Sequence, residues 1–384
     1  MEHQVPVALV VGVTGITGLS LAQALKQPHC LGGGPWKVYG AARRPPPNWF
    51  PLSTVDNFIT FNAVNSTDTL GKLSPIAGEV THLFWVTFQF LGDEEANIAV
   101  NKAMLQNVLT ALTSTPSSRL THVTVQTGTK HYMGPIHDPG NKSIVLNGHA
   151  PPFHEDMPRL PYPNFYYALE DLVASHAPSL SYSVHRATII IGASARSAMN
   201  ALMILSTYAA PPPPVAVPLP GSRYTWEHFC DMIDARVLAE QHVWAAVTER
   251  GKNQAFNCTN GDVFTWKSVW RVLSEVFDVG FVELDESDEF DLVELMCDKG
   301  AVWDEIVEKH GLEKTKLEEI ACFEAIMPVL RFGFQHVSSM SKSRECGFFG
   351  HADTFKSIRF WVGKLREMKL IPSYEYVAKA NGYH

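Results

Sequence analysis

The chain predicts an α/β fold, a parallel sheet doubly wound by helices, and three observations carry that reading. Residues 7–11, Val-Ala-Leu-Val-Val, form a continuous apolar run, as expected of a strand buried on both faces. The run breaks into glycines three apart, Gly12, Gly15 and Gly18, and an amphipathic segment follows over residues 19–27. Strand-like and helix-like segments then alternate through the first half of the chain, the rhythm of successive βαβ units.

The remaining elements follow in order. Residues 36–42 predict a second strand, 57–62 a third and 81–88 a fourth. Residues 94–112 predict a helix, with Ile98, Met104, Leu105, Val108, Leu109 and Leu112 at helical spacing. Residues 120–126 read as strand five, and 181–186 continuing through 187–191 as strand six. The second half changes character. Residues 211–214 are all proline and are joined by Pro218 and Pro220, a loop that cannot be helix interior. Residues 231–250 and 305–316 predict helices. Residues 283–295 carry seven acids and read as a solvated helix face or loop. This half predicts a mainly helical lobe over the strand ends, where open α/β sheets take ligands.

Composition narrows the function. With 384 residues, 46% hydrophobic and 18% charged, the chain can build a large core; its net charge of −8 and lack of a basic stripe argue against a nucleic-acid partner. Its apolar runs fall far short of the ~20 residues a membrane span needs, and its N-terminus predicts no signal peptide. The six cysteines have no CxxC spacing and the histidines form no HExxH or His/Cys cluster. Free thiols, a cytoplasmic location and no metal are the expectations.

The glycine turn is a pyrophosphate site. Gly12 permits the tight turn, Gly15 lets backbone approach phosphate, and Gly18 lets helix pack on strand. The spacing is the GxxGxxG form of short-chain dehydrogenase/reductases. The second strand ends in Arg43-Arg44 with no acid. Arginine there accommodates a 2′-phosphate, so NADPH is the expected cofactor. Thr14, Ile16, Thr87, Gln126 and Tyr166 are expected to complete its site. The domain reading is a Rossmann-type NADP(H)-binding core over 1–195 and a mainly substrate-binding lobe over 196–384, with about 223–265 returning to the core.

Two residues carry the candidate chemistry. Lys130 follows strand five, beside the expected nicotinamide, and Tyr166 stands just ahead of a helix. Short-chain reductases usually carry Tyr-x-x-x-Lys, one helical turn apart. Here Glu170 stands four residues after Tyr166 and Asp171 four after Tyr167. The missing lysine predicts a rearranged site in which Lys130 supplies the cation from another loop.

Several blocks bear a family resemblance: Gly12-Val-Thr-Gly-Ile-Thr-Gly18, Tyr39-Gly-Ala-Ala-Arg-Arg44, Leu83-Phe-Trp-Val-Thr87, Gln126-Thr-Gly-Thr-Lys-His-Tyr-Met-Gly-Pro135, Asn164-Phe-Tyr-Tyr167, Tyr182-Ser-Val-His-Arg186 and Ala255-Phe-Asn-Cys-Thr-Asn-Gly-Asp-Val-Phe-Thr-Trp266. Together they resemble the plant progesterone 5β-reductase/iridoid synthase family, almost end to end. The resemblance implies Tyr166 and Lys130 as catalytic pair, and NADPH-dependent reduction of the activated C=C bond of enones and enals. Hydride would add to the β-carbon, Tyr166 would stabilise the enolate oxygen, and water would protonate the α-carbon.

Departures from the family pattern fall at Ala63, where an aspartate usually meets adenine, at Ala187, where proline usually follows His-Arg, and at Ala321-Cys322-Phe323-Glu324-Ala325, where an aromatic cluster usually lines the pocket. They predict a reshaped pocket for a small apolar carbonyl substrate, with Phe88, Met133, Met199, Met203, Trp226 and Phe323 as candidate walls. A cyclase or isomerase on the same scaffold and a non-catalytic NADP(H) sensor are the alternatives; a homodimer stays open.

Overall fold

Alternation along the first strand, β1 (Val7–Val11), sorts its side chains onto two helical layers. Val7, Leu9 and Val11 pack among side chains of α3 (Glu94–Thr113) and α5 (Phe165–Ala174), whereas Ala8 and Val10 pack among those of α1 (Ile16–Leu25) and α8 (Ala235–Val247). A strand covered on both faces must be apolar throughout, and all five residues are buried. The computed structural model describes residues 5–135, 146–209, 218–285 and 291–373.

The other sheet strands are β2 (Lys37–Ala42), β3 (Asn57–Thr60), β4 (His82–Trp85), β5 (His122–Gly128), β6 (Ser181–Ala187) and β9 (Gln254–Cys258). Among the described residues they form one parallel sheet with β1, in the order β3-β2-β1-β4-β5-β6-β9. The order reverses between β1 and β4, as in the Rossmann fold. Helices α2 (Ser66–Leu73), α4 (Lys130–Met133), α6 (Ala201–Ala209) and α7 (Arg223–Glu227) interleave with these strands. The later chain adds α9 (Trp266–Phe277), α10 (Leu292–Met296), α11 (Gly300–His310), α12 (Leu317–Ile320), α13 (Phe323–Leu330), α14 (Ser341–Glu345) and α15 (Thr354–Glu367). Most of these helices share an apolar core with α6 that runs from Ile191 to Ile371. Among the described residues no helix is long and apolar enough to cross a membrane.

Three sequence expectations need correction. The sixth strand does not run unbroken to residue 191: it ends at Ala187, and β7 (Ile189–Ile191) pairs instead with β8 (Met232–Asp234) in a separate two-stranded sheet. The helix expected from 231 therefore begins at Ala235. Asp234 caps it, accepting from Arg236 N at 2.9 Å, as a short acid favours a cap over a helix interior. The helix expected over 305–316 runs from Gly300 to His310, because Gly311 adopts φ 58° and ends it in a left-handed cap. The acidic stretch contains α10, capped by Asp291. Its residues 286–290, and the prolines at 211–214, lie outside the described residues.

Candidate active site

The carboxyl ends of β1, β2, β4, β5 and β6 border one cleft of about 1340 Å³. Gly12 has φ +97°, and a side-chain carbon there would meet Val86 O at 2.8 Å; at Gly18 it would meet Gly12 O at 2.1 Å. Both glycines are bare so that β4 and α1 can close on the turn. Gly15 presents its backbone to the cleft at the start of α1, where orphan N–H groups and the helix dipole favour an anion. A segment after β7 straps this turn. Ser194 Oγ donates to Thr14 O at 2.7 Å, and Ile16 N donates to Ser197 Oγ at 3.2 Å.

Arg43 and Arg44 line the cleft from the end of β2, and Arg196 joins them from the strap. Arg196 Nη2 donates to Pro45 O at 3.3 Å. Burial, then the charge of Arg44, hold its guanidinium below the ordinary value. Gln126 lines the same cleft, and its buried Oε1 has no hydrogen-bond partner among the described residues. A turn left bare at its glycines, clustered cations and an orphaned acceptor fit a dinucleotide. Thr14, Ile16, Thr87 and Tyr166 also line the cleft, as do Asn62 and Ala63.

Tyr166 and Lys130 are brought to one wall of this cleft. Asn164 caps α5, accepting from Tyr166 N at 3.0 Å, and its Nδ2 donates to Lys130 O at 3.2 Å. A side-chain carbon on Gly128 would sit 3.1 Å from the Tyr166 hydroxyl, so the end of β5 is bare where the phenol reaches it. Burial, then the charge of Glu94, push the Tyr166 pKa up to about 12. The phenol is thus a neutral donor at physiological pH. Glu94, which the sequence presents as just the start of a helix, joins the pair: one carboxylate oxygen binds Lys130 Nζ and Oε1 accepts from Phe165 N at 2.7 Å.

The tyrosine neighbours divide their work. Tyr167 Oη donates to His131 O at 2.7 Å and accepts from Leu160 N at 3.1 Å. Glu170, the residue in place of the usual lysine, is buried against Arg186, with His131 Nδ1 3.5 Å away. Burial alone would raise its carboxyl, but His131 and Arg186 carry it down to about 2.

The expected substrate walls separate into two sets. Phe88, Met133 and Met199 line the cleft, and Phe88 stacks on Phe165 with centroids 5.9 Å apart. Met203, Trp226 and Phe323 instead lie in the core of the C-terminal region. Every residue of α6 is buried, so that helix gives the cleft its first residue, Ala201, while Met203 points inward. Trp226 stacks on Phe281 at 5.9 Å. Cys322, Glu324 and Ala325 face the cleft on either side of the inward Phe323, and Cys322 N donates to Ala198 O at 2.9 Å. Pro328, Val329, Phe332 and His336 complete this far wall; no spacing in the sequence announces them, because they reach the strand ends by tertiary packing.

Residues 53–372 match the model of the PRISE-like Rossmann-fold domain. An (S)-8-oxocitronellyl enol synthase of Camptotheca acuminata is 44% identical over 372 residues, covering 95% of this chain and 93% of that protein. The (S)-8-oxocitronellyl enol synthase of Catharanthus roseus is 43% identical, covering 95% and 92%. A 3-oxo-Delta(4,5)-steroid 5-beta-reductase of Arabidopsis thaliana is 41% identical, covering 95% and 93%. Among solved structures, a UDP-glucose 4-epimerase of Thermotoga maritima superposes with TM-score 0.59 at 11% identity, covering 94% of this chain and 99% of its own. The enzyme WbmH of Bordetella bronchiseptica, solved with NAD+, gives TM-score 0.59 at 13% identity, with the same coverages. These two share the fold.

Proposed function

The chain belongs to the PRISE-like Rossmann-fold family, and from that membership we propose that it is an NADPH-dependent reductase of the activated C=C bond of enones or enals. The observation that carries the proposal is the meeting of Tyr166, Lys130, the glycine turn and the arginines at the end of β2 in one cleft. The names of relatives at 41–44% identity support the same chemistry.

Arg43, Arg44 and Arg196 would hold the 2′-phosphate of NADPH, and Gly15 with the start of α1 its pyrophosphate; so held, the cofactor would supply hydride for the β-carbon of an unsaturated carbonyl. As negative charge reaches the carbonyl oxygen, the Tyr166 hydroxyl donates to it. Its high pKa keeps the proton on the phenol, so Tyr166 acts as an oxyanion donor rather than a base. Such a donor lowers the barrier by about 2.7–4 kcal/mol. Lys130 orders the ribose and nicotinamide end, its ammonium oriented by Glu94. The substrate is a small apolar carbonyl, held between Phe88, Met133, Met199 and the Cys322–His336 wall. The same reading assigns 1–195 to the cofactor and most of 196–384 to the substrate.

The test is NADPH oxidation with 2-cyclohexen-1-one and identification of the product. Cyclohexanone is expected. An allylic alcohol overturns 1,4-reduction, and turnover of a reactive dicarbonyl without NADPH consumption favours an isomerase or cyclase.

A further inference from the structure

Thr129 stands between Gly128 and Lys130, and its Oγ1 lies 2.8 Å from His336 Nε2. Both residues are buried and both line the cleft. Behind the imidazole, His336 Nδ1 faces Asp231 Oδ1 at 3.4 Å, and neither atom has another hydrogen-bond partner among the described residues. Backbone geometry holds the pair in register: Asp231 N donates to His336 O at 2.9 Å, and Ser338 N donates to Asp231 Oδ2 at 2.6 Å. Phe332 stacks on the imidazole at 5.3 Å and Phe153 meets its edge at 6.0 Å. A carboxyl, an imidazole and a hydroxyl therefore run in line from the core to the wall that carries Tyr166.

We propose that Asp231, His336 and Thr129 form a proton relay that protonates the α-carbon of the enolate within the cleft, so that this chain returns a saturated carbonyl rather than releasing an enol. The proposal rests on the enone-reductase reading and adds the source of the second hydrogen. The enolate oxygen is held by Tyr166, beside Gly128; its α-carbon lies two bonds from that oxygen, and Thr129 is the next residue along the same wall.

The step balances. After hydride addition the substrate is an enolate with one negative charge. Its α-carbon takes the Thr129 hydroxyl proton, forming a C–H bond and restoring the C=O bond. Thr129 Oγ1 simultaneously takes the proton of His336 Nε2. The Asp231–His336 pair supplies one mobile proton and is left as carboxylate and neutral imidazole, which water recharges after product leaves. Burial pushes the Asp231 carboxyl above its ordinary value, which favours its protonated form.

The experiment is reduction of 2-methyl-2-cyclohexen-1-one with NADPH in D2O, reading the facial ratio of deuterium at the α-carbon at short times. The parent is expected to favour one face by at least about tenfold, the mark of a positioned acid. Thr129→Val removes the hydroxyl at nearly constant shape, and His336→Gln keeps a donor that cannot pass a proton on; both are expected to bring the ratio close to unity in the product they form. Tyr166→Phe slows turnover and preserves the ratio. Folded Thr129→Val and His336→Gln proteins that keep the parent's ratio overturn the relay, as does a parent that deuterates both faces equally while oxidising NADPH. A parent that oxidises no NADPH with any enone overturns the reductase reading and the relay with it.

Discussion

Arg186 grips Glu170 with two parallel hydrogen bonds, Nε to Oε1 at 3.1 Å and Nη2 to Oε2 at 3.1 Å. The carboxylate stands one helical turn after Tyr166, and the guanidinium comes from β6. Arg186 Nη1 also donates to Tyr132 Oη at 3.0 Å, which donates to Asn257 Oδ1 at 2.6 Å. This buried chain ties α5, α4, β6 and β9 together beneath the wall that carries Tyr166.

Breaking it should be costly. Glu170→Gln leaves a buried guanidinium without its counter-charge, and such losses amount to about 3–5 kcal/mol. Urea unfolding of the two proteins measures it, and equal midpoints would show the pair to be dispensable. Glu170→Lys, which rebuilds the usual Tyr-x-x-x-Lys spacing, places two buried cations together and should fold worse still.

Tyr166 and Tyr167 should separate cleanly. Tyr166→Phe should reduce kcat about a hundredfold or more with a weakly activated enone, the expected loss of one oxyanion donor, with little change in NADPH binding. Tyr167→Phe removes two hydrogen bonds at the His131 corner and should cost about 1–2 kcal/mol of stability while leaving the chemical step largely intact. The opposite kinetic pattern moves the catalytic role one residue along the chain.

Nucleotide choice should rest on the strand-two arginines. Arg43→Ala or Arg44→Ala should weaken NADPH binding by about 1.5–3 kcal/mol and NADH binding far less, since a charge-assisted phosphate contact is lost in one case alone. Fluorescence titration of both nucleotides measures it. Equal affinity of the parent for NADH and NADPH would refute the assignment.

Acid should weaken the fold early. His122 bonds Ser181 and Ser183, His185 stacks on His242 at 3.8 Å, and His242 Nδ1 pairs with Thr124 Oγ1. Burial lowers His242 to about 3 and His82 to about 4, and holds His122 and His185 well below the ordinary value. Unfolded, each titrates near ~6.5. The unfolded state therefore binds more protons below that pH, and stability, fully present above it, falls as pH drops from ~6.5 towards 3. Unfolding free energies between pH 7 and 4 that fail to decline contradict this account.

Much of the Rossmann sheet was legible because its signals are local. Strand β1 is apolar throughout, the glycines are three apart, and Arg43-Arg44 close a strand. Strand β9 escaped periodicity because Gln254-Ala-Phe-Asn-Cys258 is short and half polar; Asn257 spends its amide on Phe153 O and Ser339 O. Strand β8 hid at the front of an apolar helical pattern. The far wall was the least legible part. Met203 and Phe323 have the composition of a pocket, yet which apolar side chains face a cleft and which face a core depends on packing between segments more than a hundred residues apart. His336 reaches Thr129 across 207 residues of sequence.

The far wall meets the strap after β7 at Cys322 N with Ala198 O, and the end of β5 at His336 with Thr129. In the proposed function these two seams join parts with different tasks. The glycine turn, its serine strap and the arginines fit a dinucleotide whose shape is the same whatever the substrate. Residues 322–332 shape the other end, so a change there alters which carbonyl is admitted while the source of electrons stays the same. A duplicated gene could thus acquire a new substrate by changing one wall, with no intermediate that has lost its reductant.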